Sequence, residues 1–165
     1  MPLLRRRKSH TAVCADARRR SICLPTKGYN VDDSLTPLKA RGDKMRRKVL
    51  GDKYVDNAGK AAVTFGADFQ EIVTAMAWGG VWSREGLSLR DRSLITIAVL
   101  TALHRPDELR LHIHGGLQNG LTKAEMEEAM VQVGVYAGFP TAVAGNRVGQ
   151  AFFRDLEAAG NAEKK

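Results

Sequence analysis

Apolar residues recur at a helical period over much of this chain. A weak stripe runs through residues 43–57, and a clearer one runs through residues 67–78. The clearer stripe consists of Phe69, Ile72, Val73, Met76 and Ala77. Spacings of three and four residues place such side chains on one face, so both intervals are predicted to be amphipathic helices. The glycine-rich interval 79–86 is predicted to be a loop that carries Trp82 and Arg84.

Two capping motifs mark the starts of later helices. Ser88 is followed three residues on by Asp91, and Thr122 is followed at the same distance by Glu125. A hydroxyl and an acid at this spacing can satisfy the free backbone N–H groups of a first helical turn. The first motif opens the apolar run 93–103. Alternating branched residues in that run would also suit a strand, but its length and its cap favour a buried helix.

Three further helices are predicted in the C-terminal part of the chain. They cover residues 106–119, 122–137 and about 141–158. Pro106 suits the first turn of the first of them. The Gly-Phe-Pro sequence at 138–140 is predicted to separate the last two. The sequence therefore predicts an all-α domain of about six helices with no sheet.

Basic charge is concentrated at the N-terminus. Residues 1–44 hold 11 Lys and Arg against 4 Asp and Glu, whereas residues 45–165 hold 15 against 14. A basic segment without apolar periodicity is predicted to be a disordered extension, which leaves residues 45–165 as the folded domain. Nucleic-acid binding and organelle targeting are the alternatives. No aromatic residue lies among the arginine clusters to stack on bases, so no nucleic-acid partner is expected.

Neither a membrane nor an oxidising compartment is indicated. No apolar run approaches the length of a membrane-spanning helix, and the first residues lack the apolar core of a signal peptide. A cytoplasmic location is therefore expected. The two cysteines, Cys14 and Cys23, both lie in the basic segment, and no other cysteine could complete a metal set with them.

Glu108 and His112 are the first candidates for chemistry. Four residues apart on one predicted helix, they share a face that also includes Gly115. A carboxylate beside an imidazole can orient the ring and raise its basicity, which suits proton transfer near neutral pH. Gly115 and Gly116 are expected to leave room for a ligand. A solvated ion pair is the ordinary alternative, and no third ligand is evident for a metal site.

Arg92 is the second candidate, because it lies in the first turn of the most apolar predicted helix. Its guanidinium must reach solvent, pair with a neighbour such as Asp91, or meet an anion. Arg84 precedes it in the predicted loop, and two arginines could bind two carboxylates. Trp78 and Trp82 could form the walls of a small planar pocket, although Trp78 suits an ordinary core position equally well.

Four motifs follow one another between residues 78 and 140. They are Trp78-Gly79-Gly80-Val81-Trp82, Arg90-Asp91-Arg92-Ser93-Leu94-Ile95-Thr96, Glu108-Leu109-Arg110-Leu111-His112-Ile113 and Tyr136-Ala137-Gly138-Phe139-Pro140. Their order and spacing resemble the carboxymuconolactone decarboxylase family over roughly residues 45–158. The resemblance implies an alkylhydroperoxidase D-like helical bundle and an enzyme that needs no metal or other cofactor.

One departure from the wider fold family narrows the expected activity. Alkylhydroperoxidase D, which shares the fold, carries Cys-x-x-Cys followed four residues later by His. Arg105, Glu108 and His112 stand at the matching positions here. Peroxide reduction by that route requires thiolates, so the resemblance points to the decarboxylase branch.

The resemblance implies decarboxylation of 4-carboxymuconolactone, a small dicarboxylate lactone, to 3-oxoadipate enol-lactone and CO2 in protocatechuate catabolism. His112 would then donate the proton, Glu108 would orient it, and Arg92 with Arg84 would bind the carboxylates. The resemblance also implies a homo-oligomer, either a hexamer or a trimer. Two alternatives remain open. One is a same-fold enzyme acting on another small acid or lactone, and the other is a binding protein that uses the basic segment.

Overall fold

The structure is a computed structural model that describes residues 35–162. Every regular element in this range is helical, which confirms the all-α prediction. Seven α-helices and one π-helix follow one another, one α-helix more than predicted. They are α1 (Thr36–Leu50), α2 (Asp52–Thr64), α3 (Ala67–Val73), the π-helix (Thr74–Trp82), α4 (Leu89–Ala102), α5 (Pro106–Gln118), α6 (Lys123–Ala137) and α7 (Phe139–Ala162). Within the described range, no helix is both long and apolar enough to cross a membrane.

The folded domain begins earlier than the sequence predicts. The boundary expected at residue 45 falls inside α1, which starts at Thr36 and carries Pro37 in its first turn. The single helix predicted for residues 43–57 is divided at Gly51, whose φ of 84° favours glycine. The expectations for residues 1–34 lie outside the described residues and stay predictions.

α1 belongs to the core of the domain because it packs directly on the π-helix. At Gly42 the backbones approach so closely that a Cβ would overlap the carbonyl group of Thr74. At Gly79 a Cβ would overlap the carbonyl group of Leu38. Two glycines facing each other's helices therefore set the short distance between α1 and the π-helix.

The π-helix replaces the first half of the loop predicted for residues 79–86. Its wide turn is visible in the hydrogen bond from Ser83 N to Trp78 O, which spans five residues at 3.1 Å. The carbonyl oxygen of Gly79 accepts from Arg41 Nε at 3.0 Å and from Arg41 Nη2 at 2.8 Å. The Ser83 hydroxyl donates to the same oxygen. Arg41 of α1 thus satisfies a carbonyl at the end of the π-helix.

The predicted caps are confirmed. The Ser88 hydroxyl accepts from Asp91 N, and Thr122 and Glu125 satisfy each other's backbone N–H groups in a complete capping box. Residues 93–102 of the apolar run are helical, as the cap indicates, but the helix is not buried as predicted, because Ile95 and Val99 are exposed. α7 begins two residues before the predicted start, because Pro140 lies in its first turn instead of preceding it.

Two apolar clusters form the core, and α5 lies between them. The first contains Ile97, Leu109, Ile113, Leu121, Met126, Met130 and Phe152. The second contains Val49, Leu50, Trp78 and Trp82. Leu109 and Ile113 of α5 belong to the first cluster, whereas Leu111 packs against the second. His112 lies on the face of α5 between these two sets of side chains, and it contacts Trp78 and Trp82 of the second cluster.

Candidate active site

The imidazole of His112 lies against the two tryptophans of the π-helix. Its centroid is 6.1 Å from that of the Trp78 ring, with 5° between the planes, and 5.7 Å from that of Trp82, with 24°. The two indoles stack on each other with centroids 5.0 Å apart. The structure therefore brings three of the six predicted site residues together in one aromatic cluster.

Both tryptophans are core residues as well as neighbours of the histidine. Trp78 is 5% exposed and Trp82 is 9% exposed, so neither presents an open wall within one chain. Both pack with Val49 and Leu50. Their contribution to the site is to hold the His112 ring and to exclude water from its faces.

His112 is a neutral, half-buried imidazole at pH 7. Burial lowers its pKa from 6.5 to about 4, and the negative charge of Glu108 raises the pKa by a smaller amount. The carboxylate was expected to make this ring more basic. Its effect on the pKa has that direction, but the effect of desolvation is larger, so the ring is less basic than a free imidazole. The buried Nδ1 atom makes no hydrogen bond within the described residues. A buried ring nitrogen without a partner is costly, and a ligand could supply the missing contact.

Glu108 lies one turn before His112 on α5 and is exposed. Because Nδ1 has no hydrogen-bond partner in the described part of the chain, Glu108 affects the ring through charge and not through a hydrogen bond to that atom. The predicted pair therefore shares a face of α5, but it is not a closed dyad in this structure.

Arg92 and Arg84 meet at the start of α4. Arg92 Nη2 donates to the backbone carbonyl of Arg84 at 2.9 Å, while Arg92 Nε is buried without a partner. Pairing with Asp91 is not seen: Asp91 lies 3.8 Å from Arg90, which also pairs with Glu125. Among residues 35–162, no carboxylate lies within ion-pair distance of the Arg92 guanidinium, so this cation can accept an anionic ligand.

The Arg84 side chain itself is exposed. Its backbone follows the π-helix directly, with Arg84 N donating to Val81 O at 3.1 Å. The hydrogen bond from Arg92 therefore joins the first turn of α4 to the segment that carries Trp82. That connection couples the position of the guanidinium to the aromatic cluster.

The glycines beside His112 do not leave open volume, contrary to prediction. A Cβ at Gly115 would lie 3.0 Å from both Cγ1 and the carbonyl oxygen of Val49. A Cβ at Gly116 would lie 2.9 Å from Met126 Cε. These glycines let α1 and α6 approach α5, so they serve helix packing.

Three structural features of the site were not found from the sequence. The π-helix, the contact of Arg41 with Gly79, and a hydrogen bond from Asn119 Nδ2 to Ser93 Oγ at 2.9 Å all support the site residues. Ser93 follows Arg92 and is fully buried. The signal available for that last contact was the position of Ser93, a polar residue at the start of a mainly apolar run.

Metal ligands are not grouped in the part of the chain that the structure describes. Between residues 35 and 162, no three His, Cys, Asp or Glu side chains are arranged to hold a metal ion. Independence from metals and other cofactors stays a prediction.

Comparison with known proteins identifies the family. The model of the carboxymuconolactone decarboxylase family matches residues 67–151, which include both tryptophans, Arg92, Glu108 and His112. The chain belongs to the carboxymuconolactone decarboxylase family. This finding confirms the resemblance seen in the four motifs.

Two relatives in this family have named activities. A 4-carboxymuconolactone decarboxylase of Acinetobacter baylyi is 43% identical over 119 residues, which are 72% of this chain and 89% of the relative. A nitrosuccinic acid decarboxylase of Metarhizium robertsii is 39% identical over 115 residues, 70% of this chain and 80% of the relative. Both relatives are decarboxylases, which supports the predicted carboxy-lyase.

Proposed function

We propose that this protein decarboxylates 4-carboxymuconolactone to 3-oxoadipate enol-lactone and CO2 without a cofactor. The observation that carries the proposal is the half-buried imidazole of His112, which has an unpartnered Nδ1 and is held by two tryptophans. The 43% identity with a 4-carboxymuconolactone decarboxylase supports this substrate over other small acids. The reaction would belong to protocatechuate catabolism.

The substrate supplies its own electron sink. Breaking the bond between the γ-carbon and its carboxylate releases CO2. The electron pair then passes through the ring double bond to the lactone carbonyl oxygen, which gives a furanolate anion. A proton added to the carbon beside the carbonyl completes the enol-lactone. The protein therefore has to hold two carboxylates, stabilise the anion and deliver one proton.

His112 is proposed to deliver that proton. In the free protein the ring is neutral at pH 7, because its pKa is lowered to about 4. A dianionic substrate beside the ring would raise this pKa, in the same direction as the charge of Glu108. Substrate binding would thus protonate the ring, and the imidazolium would pass its proton to carbon. Glu108 is proposed to stabilise the imidazolium through its charge, and this attraction would orient the ring once it is protonated.

Arg92 is proposed to bind a substrate carboxylate, because its guanidinium has no carboxylate partner in the described range and its Nε lacks a hydrogen bond. Arg84, exposed beside it, is proposed to bind the second carboxylate. Trp78 and Trp82 would desolvate the reacting group through their contact with His112. A desolvated carboxylate loses CO2 more readily than a hydrated one.

A cytoplasmic homo-oligomer, either a trimer or a hexamer, is proposed as the active form. Its support is a row of exposed apolar side chains that share one face with Arg92: Ile95 and Val99 on α4 and Leu103 at the C-terminal cap of that helix. A second exposed group spans α6 and α7, at Val131, Val135, Tyr136, Phe139 and Val143. Apolar patches of this kind mark association surfaces, and light scattering on the purified chain tests the assembly.

Turnover tests the proposed function. The purified chain is incubated with 4-carboxymuconolactone, and CO2 and enol-lactone are measured in equal amounts. Nitrosuccinate is the second candidate substrate, because a relative that is 39% identical is named for it. Rapid turnover of nitrosuccinate with none of the lactone would reassign the substrate, and turnover of neither would contradict the proposal.

A further inference from the structure

Arg46 is a buried cation without a carboxylate partner among the described residues. It is 7% exposed, and its Nε atom makes no hydrogen bond. Arg46 Nη2 donates to Gln70 Oε1 across 3.4 Å, which is long for such a bond, and the guanidinium carbon lies 5.7 Å from the centroid of the Tyr54 ring. Burying a charge without a partner is costly, so an anion would complete this site.

Arg46 lines an open cavity of about 680 Å³ between α1, α2 and α3. We name it the Arg46 cavity. Its apolar lining consists of Ala40, Val55, Gly59, Ala62, Val63 and Ala67. This volume lies within the usual range for pockets that take small organic molecules.

The other charges of the Arg46 cavity are largely paired with one another. Lys39 pairs with Glu71, and Arg47 pairs with Asp43 and Asp56. Arg46 therefore faces the cavity as an unneutralised charge. Three carboxylates line the same cavity and would repel a second negative charge, which favours a monoanion over a phosphate group.

We propose that the Arg46 cavity binds a small organic monocarboxylate. Its carboxylate group meets the Arg46 guanidinium, whose planar fork matches that geometry, and its apolar body lies against α2. None of the residues that line the cavity belongs to the proposed catalytic site. The proposal therefore stands independently of the proposed function.

The test is a titration of the full chain with sodium benzoate, followed by NMR of the arginine Nε–H groups and by thermal shift. Saturable binding that moves the Arg46 Nε–H signal is expected. Arg46→Gln should weaken binding about tenfold or more, because it removes a charge-assisted contact. Lys60→Gln is the matched control: it removes an exposed charge from the same cavity and should change the affinity by less than about threefold.

A second variant keeps the proposal testable if Arg46→Gln fails to fold. A Cβ at Gly59 meets no atom within 4 Å, and Gly59 lines the cavity, so Gly59→Leu should fold, keep Arg46 and place an apolar side chain in the space that the ligand would occupy. Loss of benzoate binding in Gly59→Leu, with binding retained in Arg92→Gln, supports the proposal. Unchanged binding in both Arg46→Gln and Gly59→Leu, or loss in Arg92→Gln alone, overturns it and assigns the benzoate to the His112 site.

Discussion

The rings of His112 and Trp78 lie nearly parallel, with 5° between their planes and 6.1 Å between their centroids. The contact between these rings connects α5 to the π-helix and shields one face of the imidazole from water. It explains why desolvation outweighs the charge of Glu108 in lowering the pKa of His112 to about 4.

Stability should fall between about pH 6.5 and pH 4 because of His112. The folded-state pKa is lowered to about 4 from 6.5, so the unfolded chain binds a proton in this window more readily than the folded chain does. The full effect is reached below the folded pKa and amounts to at most about 3–4 kcal/mol. The thermal midpoint should therefore drop less on acidification in His112→Gln than in the wild type. His114→Gln, two residues along α5, is the control, and equal slopes in all three proteins would contradict the prediction.

Arg92→Lys should raise KM while the fold persists. The ammonium group keeps the charge but loses the planar fork that suits a carboxylate, and Arg92→Ala should raise KM further, by about tenfold or more. Steady-state kinetics with the lactone measure both. Arg90→Lys is the control, since Arg90 is already paired with Glu125. Wild-type KM and kcat in both Arg92 variants would make Arg92 a structural residue.

Arg41 should matter to the site although it lies in the segment that the sequence predicts to be a disordered extension. Arg41→Met removes two hydrogen bonds to Gly79 O and leaves a carbonyl of the π-helix poorly satisfied, at a cost of about 1–3 kcal/mol. The thermal midpoint should fall and tryptophan fluorescence should change, whereas Lys44→Met on the same helix should alter neither.

Because the π-helix packs on α1, a chain starting at Leu35 should fold and one starting at Met45 should not. A stable chain from Met45 would show that α1 is not needed.

Two glycine substitutions should act in opposite directions. Gly42→Ala places a Cβ against the carbonyl of Thr74, where backbone must move, so it should destabilise by several kcal/mol, roughly 3 or more. Gly59→Ala adds a methyl group where nothing lies within 4 Å, inside α2, and should stabilise by about 0.5–1 kcal/mol. Chemical denaturation measures both changes. Equal effects of the two substitutions would contradict the packing described for α1.

Local chemistry explains which parts of the fold could be predicted. The caps at Ser88 and Thr122 and the proline at Pro106 act within one helical turn, so their sequence motifs were sufficient. The π-helix could not be predicted, because it depends on α1: Gly42 and Arg41 meet it from about 35 residues away. Its interior glycines suggested a loop, and only tertiary contacts make that segment helical.

The same distinction applies to the site. Spacing alone placed Glu108 and His112 on one face of α5, and the resemblance of the motifs assigned them a role. The predicted direction of the pKa shift at His112 was wrong. Two tryptophans from another helix contact the ring and desolvate it, and this lowers the pKa. The sequence also could not show that Arg92 lacks a carboxylate partner in the described range. Asp91 is its neighbour in sequence, but in the structure Asp91 lies near the guanidinium of Arg90.

The rate of CO2 release from saturating 4-carboxymuconolactone, compared between the wild type and His112→Ala, tests the central claim most directly. If His112 delivers the proton, kcat should fall by about 10²-fold or more. Glu108→Gln should cost less, because it removes only a charge that favours the imidazolium, and His114→Ala should be nearly silent. A near-normal kcat in His112→Ala, or equal losses at His112 and His114, would contradict the assignment.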